Sequence, residues 1–485
     1  MRFRFLERFL NKNTPDTPLF LYNTLGKEKQ EFILSAPAKT VRMYNCGPTV
    51  YDVQHIGNLS MFVFADILRR TLEYNGLTVK QVINITDVGH LTSDADEGED
   101  RMTKGLKREG KKLTLENMRE LGERYTQIFL DDLRKLNIDT SRITFPRASD
   151  YIPAQIAMIT TLQEKGYAYT TGDGVYFDTS RFPAYGALGG VNIEGQKEGA
   201  RVAIKSEKRN AADFALWKLD SKLGWDSPWG KGFPGWHIEC SAMIRAILGE
   251  QIDIHTGGIE HIGVHHNNEI AQSEAATGKK PFVRFWMHRA HVQLEGAKLA
   301  KSKGNVVYLS EICERDFHPL ALRYLFLGAH YRTSSNFTWE ALGAAQTALG
   351  RLLSFAREEG GTVSEMHRRR FHERLNDDLD TPGALALLWE MTGDGSLSHA
   401  DISATLRDAD RVLGIGLSQP SVLEILVKED IKIEDLPLEV ALLVNDRERA
   451  RADKEWTRSD ELREKIADAG YDVSDTTGGP EIRER

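Results

Sequence analysis

The sequence predicts an α/β protein built on a parallel sheet, and three observations support that fold class. A short strand at residues 40–45 stops at a Gly-Pro pair, a helix with apolar residues at helical spacing follows at 59–74, and a buried strand follows at 80–86. Strand, turn, helix and strand within about 45 residues form a βαβ unit, whose two strands run parallel. The same pattern returns at 251–277, and beyond residue 310 the chain reads as successive helices. The predicted fold is a Rossmann-type sheet domain with an insertion, followed by an all-α helical bundle and a small C-terminal region.

The first half of the chain contains further elements around this unit. Residues 92–112 are charged and contain glycine, which predicts a surface loop. Helices are expected at 113–136 and 151–166. Residues 167–215 are rich in glycine and turn residues, with a strand candidate at 174–178. We therefore expect this region to be an irregular insertion into the sheet domain.

The second half begins with a strand at 251–255, a helix at 264–277, a strand at 282–294 and a lysine-rich loop at 296–304. Helical periodicity then predicts the bundle, with helices at 320–328, 339–358, 368–375, 382–391 and 403–413. From residue 438 we expect one long charged helix and a Gly-Gly-Pro turn. The chain thus divides into an N-terminal extension (1–16), the first half of the sheet domain (17–150), the insertion (151–225), the second half (226–310), a linker that contacts the stem of a nucleic acid (311–335), the helical bundle (336–435) and a C-terminal region (436–485).

The amino-acid composition limits the classes of protein to which this chain can belong. The chain has 485 residues, of which 41% are hydrophobic and 28% charged, values typical of a multidomain soluble protein. No run approaches the ~18 apolar residues of a membrane helix, and the first residues lack the apolar core of a signal peptide. Three cysteines exclude a disulfide framework and fit a reducing cytoplasm. A net charge of −8 argues against indiscriminate coating of nucleic acid, although a local basic face remains compatible with a specific nucleic-acid partner.

Two of the three cysteines lie among other residues that bind metals. Cys46 follows the first predicted strand, and Cys240 lies in a Trp-His-Ile-Glu-Cys segment. His265 and Glu269 are four residues apart, so they share one helix face. Two thiolates, an imidazole and a carboxylate are all ligands that Zn²⁺ accepts in a tetrahedral site. Cys313 lies on an amphipathic helical stretch and is expected to be a core thiol.

Two other histidines compete with His265 for the imidazole position. His266 reaches the Glu269 face only at a spacing of three residues, and His261 lies four residues before His265. Gly263 makes a continuous helix through His261 doubtful, so we prefer His265.

Two further motifs are typical of phosphate handling. His55, Gly57 and Asn58 lie at a strand-to-helix junction, where free backbone N–H groups and the helix dipole favour a polyphosphate. Lys298 and Lys301 lie in a loop with glycine, which suits a clamp on a phosphate that gains charge. Taken alone, each motif is better explained as an ordinary turn or a solvated basic loop. Their joint presence around an α/β core favours a nucleotide site.

The C-terminal region contains arginines beside Trp456, a combination that can hold bases and phosphates. Acids nearly match bases over 447–458, so a solvated helix with internal ion pairs explains the charges equally well.

Taken together, these segments resemble the cysteinyl-tRNA synthetases, a family of class I aminoacyl-tRNA synthetases. The resemblance runs from residue 21 to the C-terminus and is carried by ordered strings at 45–52, 84–87, 227–230, 235–243, 253–258, 265–273 and 376–382.

The resemblance implies an ATP-dependent ligase with one Zn²⁺ per chain and Mg²⁺ bound with ATP. The zinc ligands would be Cys46, Cys240, His265 and Glu269, and the substrate thiol would bind the metal directly. Pocket residues beside the metal would be Trp236 and His255. Catalysis would depend on His55, Asn58, Lys298 and Lys301, and ATP binding on His55, Gly57, Asn58 and Lys301. The implied partners are ATP, L-cysteine and tRNA(Cys), bound by a cytoplasmic monomer without membrane contact.

Three positions depart from the family pattern. The His-Ile-Gly-His signature ends here in Asn58, and the Lys-Met-Ser-Lys-Ser loop has Ala300 in place of its first serine. These two changes put rate in question rather than activity. Residues 88–90 (Val-Gly-His) replace commonly acidic residues, which leaves the role of 88–112 open.

Two alternatives share parts of this pattern. A ligase that joins activated cysteine to an amino-sugar, as in mycothiol biosynthesis, would use the same scaffold and zinc site but lacks the full tRNA-binding end. A degenerate synthetase kept as a zinc- or RNA-binding protein would have lost His55 or the loop lysines, and this chain retains them.

Overall fold

The computed structural model describes residues 17–34, 39–87, 101–190, 207–298, 306–419, 422, 431–476 and 479–484. Its strands are β1 (Phe20–Asn23), β2 (Glu28–Glu31), β3 (Thr40–Asn45), β4 (Thr78–Ile83), β5 (Ile143–Thr144), β6 (Ala168–Thr170), β7 (Gly174–Phe177), β8 (Phe214–Leu219), β9 (Gly232–Pro234), β10 (Ile252–Gly258), β11 (Val283–Arg289), β12 (Val292–Leu294), β13 (Ala297–Lys298), β14 (Ser335–Phe337), β15 (Tyr471–Thr476) and β16 (Gly479–Glu484).

Its α-helices are α1 (Ile56–Tyr74), α2 (Arg101–Arg108), α3 (Leu115–Lys135), α4 (Ile152–Glu164), α5 (Trp236–Ile247), α6 (His265–Thr277), α7 (Leu309–Glu314), α8 (Pro319–Leu327), α9 (Trp339–Phe355), α10 (Glu365–Asn376), α11 (Thr381–Thr392), α12 (His399–Leu413), α13 (Leu438–Ala452) and α14 (Trp456–Asp468). Among the described helices, none is both long enough and apolar enough to cross a bilayer.

A parallel sheet of five described strands, in the order β11-β10-β3-β4-β5, forms the centre of the molecule. The predicted Rossmann-type α/β class is confirmed. In such sheets the carboxyl ends of the strands share one edge, where ligands bind. The turns that follow β3 and β10 therefore bring distant parts of the sequence to that edge.

Helix α1 crosses directly from β3 to β4 and packs on the sheet through buried apolar residues such as Leu59, Phe62 and Val63. It begins at residue 56, three residues before the predicted start. The reason is a side-chain cap: His55 Nδ1 accepts a hydrogen bond from the Asn58 N–H at 3.2 Å. Histidine is not among the usual capping residues, so the sequence did not indicate this boundary.

The insertion contains more regular structure than its composition suggested. Strands β6, β7, β8 and β9 form an antiparallel sheet between residues 168 and 234. All four residues of β7 are buried, so this strand shows none of the polar–apolar alternation that reveals a half-exposed strand. Residues 191–206 lie outside the described residues.

The expectation of a loop over residues 92–112 is wrong where the structure describes it. Helix α2 buries Met102 and Leu106 against Leu121 of α3. These two apolar residues, four positions apart in a charged segment, form a stripe too narrow to stand out as an amphipathic helix. Residues 88–100 lie outside the described residues.

Two other boundaries differ from expectation. The strand predicted at 282–294 is split after Arg289, because β12 pairs with β14 instead of continuing in the central sheet. The long helix predicted after residue 438 is split into α13 and α14, where Lys454 adopts a left-handed φ of 60°. A β15–β16 hairpin, which the sequence did not predict, packs on these helices around Val473 and Ile482.

The helical region is joined to α1 by a buried ionic contact. Asp66 Oδ2 lies 2.7 Å from Arg323 Nη2 of α8, and Arg323 also donates to the carbonyls of Leu136 and Leu413. Arg70 donates to the same Asp66 oxygen at 2.7 Å. The helix that begins at His55 is thus tied to the helices beyond residue 318.

Candidate metal and nucleotide site

Four side chains predicted as metal ligands meet at the carboxyl edge of the central sheet. Cys46 directly follows β3, and its N–H donates to the carbonyl of Thr256 in β10 at 3.1 Å. Cys240 lies on α5, and His265 and Glu269 lie one turn apart on α6. Their candidate ligand atoms all lie within 4.8 Å of one another, and all four residues are buried. Two sulfurs, one nitrogen and one oxygen in this space suit a tetrahedral zinc site.

The ionisable groups of this cluster interact strongly, and metal binding would require His265 and Cys46 to lose their protons. His265 Nε2 lies 2.9 Å from Glu269 Oε1. Burial alone would lower the pKa of His265, but Glu269 and Cys240 outweigh it and raise that pKa to about 10. Burial likewise opposes ionisation of Glu269, yet His255 and His265 lower its pKa to about 2. A hydrogen bond with Cys46 lowers the pKa of Cys240 to about 6 against the effect of burial, so a thiolate and a carboxylate are present near neutral pH.

A second set of ligand atoms overlaps the first. Cys46 and Glu269 also lie within 4.8 Å of ligand atoms from His255 and His266. His266 Nε2 is 3.3 Å from Cys46 Sγ, and His255 Nε2 is 3.0 Å from Glu269 Oε2. His266, which helix spacing disfavoured as a ligand, therefore also lies at the cluster. His265 is in the set with both thiols.

The histidines of the cluster are oriented by further contacts that the sequence did not single out. His237 Nδ1 lies 2.8 Å from His265 Nδ1, and His266 Nδ1 lies 2.7 Å from His288 Nε2. His288 contacts the hydroxyl of Thr24 at 2.8 Å. Such outer hydrogen bonds set the tautomer and the direction of a ligand imidazole. His237 and His266 lie next to the predicted ligands in the sequence, and this proximity was the only indication of their role. Nothing in the sequence indicated a role for Thr24 or His288.

Close approach of these rings depends on Gly257. A Cβ at this position would lie 2.6 Å from both His261 Nδ1 and His266 Cε1. Gly257 is therefore needed because a side chain at this position would collide with the His261 and His266 rings.

The two predicted pocket residues line the cluster. The Trp236 ring lies 4.7 Å from that of His265, and the guanidinium of Arg101 lies 5.7 Å from the Trp236 ring centroid. His255 is fully buried and stacks on Trp286 with centroids 4.6 Å apart. Trp286 is thus a neighbour of the cluster that the sequence did not indicate, because it read as an ordinary strand residue.

The segment that follows the lysine loop lies beside the His55 motif. The Ile56 N–H donates to the Val307 carbonyl at 2.9 Å, and His55 forms an antiparallel bridge with Tyr308. The chain therefore leaves the lysine loop beside the start of α1. Lys298 lies in β13, and Lys301 lies outside the described residues.

The first motif is arranged to present donors. His55, Gly57 and Asn58 are all half-buried. Because His55 Nδ1 accepts from the Asn58 N–H, the neutral ring carries its proton on Nε2, which can donate.

The C-terminal arginines divide between two roles. Arg447 is 1% exposed and forms a bidentate pair with Asp475, at 2.9 Å to each oxygen, so its role is structural. Trp456 is 57% exposed, and Arg451 lies 5.9 Å from its ring centroid. The surface that remains suitable for nucleic acid is the one around Trp456.

Comparison with known proteins places these observations in a family. The model for the class I (C) tRNA synthetase catalytic domain matches residues 33–347, and the model for the cysteinyl-tRNA ligase anticodon-binding domain matches residues 434–483. A cysteine–tRNA ligase of Burkholderia lata is 46% identical over 473 residues, covering 96% of this chain and 97% of its own. Those of Treponema denticola and Thermus thermophilus are 41% and 42% identical, covering 95% and 96% of this chain and 98% and 99% of their own.

Solved structures agree on the fold. Methionyl-tRNA synthetase of Mycobacterium tuberculosis, in complex with methionyl-adenylate, superposes with a TM-score of 0.55 at 15% identity, covering 80% of this chain and 93% of that one. At such low identity the likeness concerns architecture alone. The matches to both family models and to relatives along nearly the whole chain show that this protein belongs to the cysteinyl-tRNA synthetases, within the class I aminoacyl-tRNA synthetases.

Proposed function

We propose that the protein is a cysteine–tRNA ligase that uses ATP to activate L-cysteine and then charges tRNA(Cys). The observation that carries the proposal is the buried cluster of Cys46, Cys240, His265 and Glu269 at the same sheet edge as the His55 motif. In this proposal a thiol-binding site and a nucleotide-binding site share one edge of the sheet.

The donor set fits zinc, and we assign Zn²⁺ to these four residues. When bound, zinc supplies a soft Lewis acid that prefers a thiolate to a hydroxyl, which separates cysteine from serine without an editing step. Trp236 and His255 would close the pocket around the small side chain, and burial of the cluster excludes water from it.

Activation requires the cysteine carboxylate to attack the α-phosphorus of ATP, with cleavage of the bond to pyrophosphate. In this proposal the His55 imidazole and the Asn58 amide would donate to the phosphates, and Gly57 would let the phosphates approach the backbone. Lys298 and Lys301 would neutralise the charge that develops on the leaving group, together with Mg²⁺ carried by the nucleotide. Asn58 donates without a positive charge, so it contributes less than an imidazolium would.

Transfer requires a 3′-terminal ribose hydroxyl of the tRNA to attack the activated carbonyl and release AMP. No protein nucleophile is needed for either step, because positioning and charge stabilisation carry the chemistry. The match of residues 434–483 to an anticodon-binding domain supports tRNA rather than an amino-sugar as the acceptor. We further propose that the protein acts as a monomer in the cytoplasm, where its free thiols stay reduced.

Two coupled assays test the proposal. We expect ATP–pyrophosphate exchange that depends on cysteine and not on serine, followed by charging of tRNA(Cys). Exchange without charging would point to the amino-sugar ligase, and absence of exchange in zinc-loaded protein would contradict the proposal.

A further inference from the structure

Arg289 is a buried cation that the proposed reaction does not use. It ends β11, and its side chain is 4% exposed. Its Nε donates to the hydroxyl of Ser60 in α1 at 3.0 Å. Its Nη2 is buried and has no hydrogen-bond partner among the described residues.

Other buried arginines are paired with carboxylates. Arg323, which is 0% exposed, lies 2.7 Å from Asp66, and Arg447 forms its bidentate pair with Asp475. Within the part of the chain that the structure describes, Arg289 lacks such a carboxylate, and burial is the sole influence on its pKa. Burial lowers that pKa to about 10, so the group still carries its charge at neutral pH. A buried charge without a counter-charge is costly, which calls for an anion beside it.

A small cavity of about 20 Å³ lies beside this guanidinium. Apolar side chains form most of its wall, among them Val63, Phe64 and Phe326. About 10–15 Å³ suffices for one particle of the size of water, so the cavity has room for a single small guest.

The hydroxyl groups of Ser60 and Thr381 at this cavity already donate hydrogen bonds to backbone carbonyls. Ser60 donates to the Gly57 carbonyl at 2.7 Å, and Thr381 donates to the Leu327 carbonyl at 2.9 Å. The Arg289 guanidinium is therefore the hydrogen-bond donor available to a molecule or ion in the cavity. A water molecule there would satisfy one N–H but leave the positive charge uncompensated.

We propose that the cavity between Arg289, Ser60 and Thr381 binds a single halide ion, chloride under physiological conditions. The halide would compensate the guanidinium and accept from Nη2. Since Arg289 holds Ser60, and Ser60 holds Gly57, the ion lies directly behind the nucleotide motif. This assignment does not depend on the proposed activity.

Crystals of the full-length protein grown in sodium bromide give a direct test. We expect an anomalous peak within hydrogen-bonding distance of Arg289 Nη2. Ordered water at that position, or an acidic side chain paired with the guanidinium, would overturn the proposal.

Thermal unfolding in solution shows whether the site fills below crystal concentrations. Protein dialysed into sodium gluconate is titrated with sodium chloride at constant ionic strength. A tenfold excess over Kd should raise the Tm by roughly 1–2 °C in a saturable manner. Arg289→Gln should abolish this response, and Arg289→Lys, which keeps the charge, should retain part of it.

The exposed Arg369→Gln is the matched control, because Arg369 pairs only at the surface, with a side chain that is 72% exposed. It should leave the chloride response unchanged. A response that persists in Arg289→Gln, or that is absent from the parent protein at physiological chloride, would refute the site.

Discussion

Cys240 and His265 belong to the ligand set that contains both thiols, whereas His266 belongs to an overlapping set that contains only the Cys46 thiol. Replacing Cys240 by Ser or His265 by Ala should remove bound zinc and cysteine-dependent pyrophosphate exchange together. The physical reason is that a serine hydroxyl cannot replace the soft thiolate ligand of Cys240, and an alanine methyl group cannot replace the nitrogen ligand of His265. Metal content and exchange rate measured on the same preparation check this expectation.

Cys313→Ser is the matched control for the thiol, since Cys313 lies half-buried on α7, and it should keep both metal and exchange. Unchanged exchange in zinc-free Cys240→Ser protein would show that the metal assignment is wrong.

Asp66 illustrates how one buried carboxylate contributes to stability. Burial alone would raise its pKa, but Arg323 and Arg70 lower it from 3.8 to about 2. A folded-state pKa below the unfolded one adds stability that is present above pH 3.8 and lost as the pH falls through about 2. Asp66→Asn should therefore cost about 3–5 kcal/mol at neutral pH and flatten the loss of stability in that acid range.

Urea unfolding at several pH values measures this effect. Asp131→Asn, which removes an exposed partner of Arg134 on α3, should cost at most about 1 kcal/mol. Equal costs for the two variants would mean that burial of the Asp66 pair is unimportant.

At the scale of elements, β10 and α6 create the site by close packing. Gly257→Ala would drive a methyl group into His261 and His266, at 2.6 Å in the present geometry. We expect weaker zinc binding and a higher KM for cysteine, because the ligand rings must shift. Zinc affinity by chelator competition, together with cysteine KM, measures the change.

Gly263→Ala offers a control in the same segment, since nothing lies within 4 Å of the Cβ it would add. It should bind zinc like the parent protein. If Gly257→Ala also binds zinc like the parent protein, the positions of the His261 and His266 rings do not depend on the space left by Gly257.

Two elements also show why local sequence patterns predict some secondary structure poorly. Helix α6 is buried from His265 to Ala276, so it has no exposed face opposite an apolar one and shows no amphipathic pattern. The hairpin at the C-terminus was missed because β15 and β16 are rich in charged residues, which are depleted in strands, and their stability comes from the core around Val473 and Ile482.

At the scale of the whole molecule, the C-terminal unit has its own core, formed by Leu436, Val440, Val444, Ile466, Val473 and Ile482. A chain that ends at residue 430 should keep cysteine-dependent pyrophosphate exchange but charge tRNA(Cys) poorly. The reason is that the candidate metal ligands and the His55 motif lie in the sheet domain, whereas residues 434–483 match an anticodon-binding domain. Exchange and aminoacylation rates are compared in parallel.

Trp456→Ala separates recognition from folding, because its exposed ring contributes little to the core. It should lower charging without affecting exchange. A truncated protein that loses exchange and charging equally would mean that the C-terminal unit is structural.

The sequence by itself determined the α/β class, the order of the main elements, the four candidate ligands and the two phosphate motifs, because ligand chemistry and helix spacing are local properties. Only the tertiary structure decided which distant residues meet. It joined His55 to Tyr308, brought His266 to Cys46 and His288 to His266, and left Arg289 without a carboxylate among the described residues. These contacts link residues up to about 250 positions apart, and parallel strand order and close packing, rather than local pattern, select them.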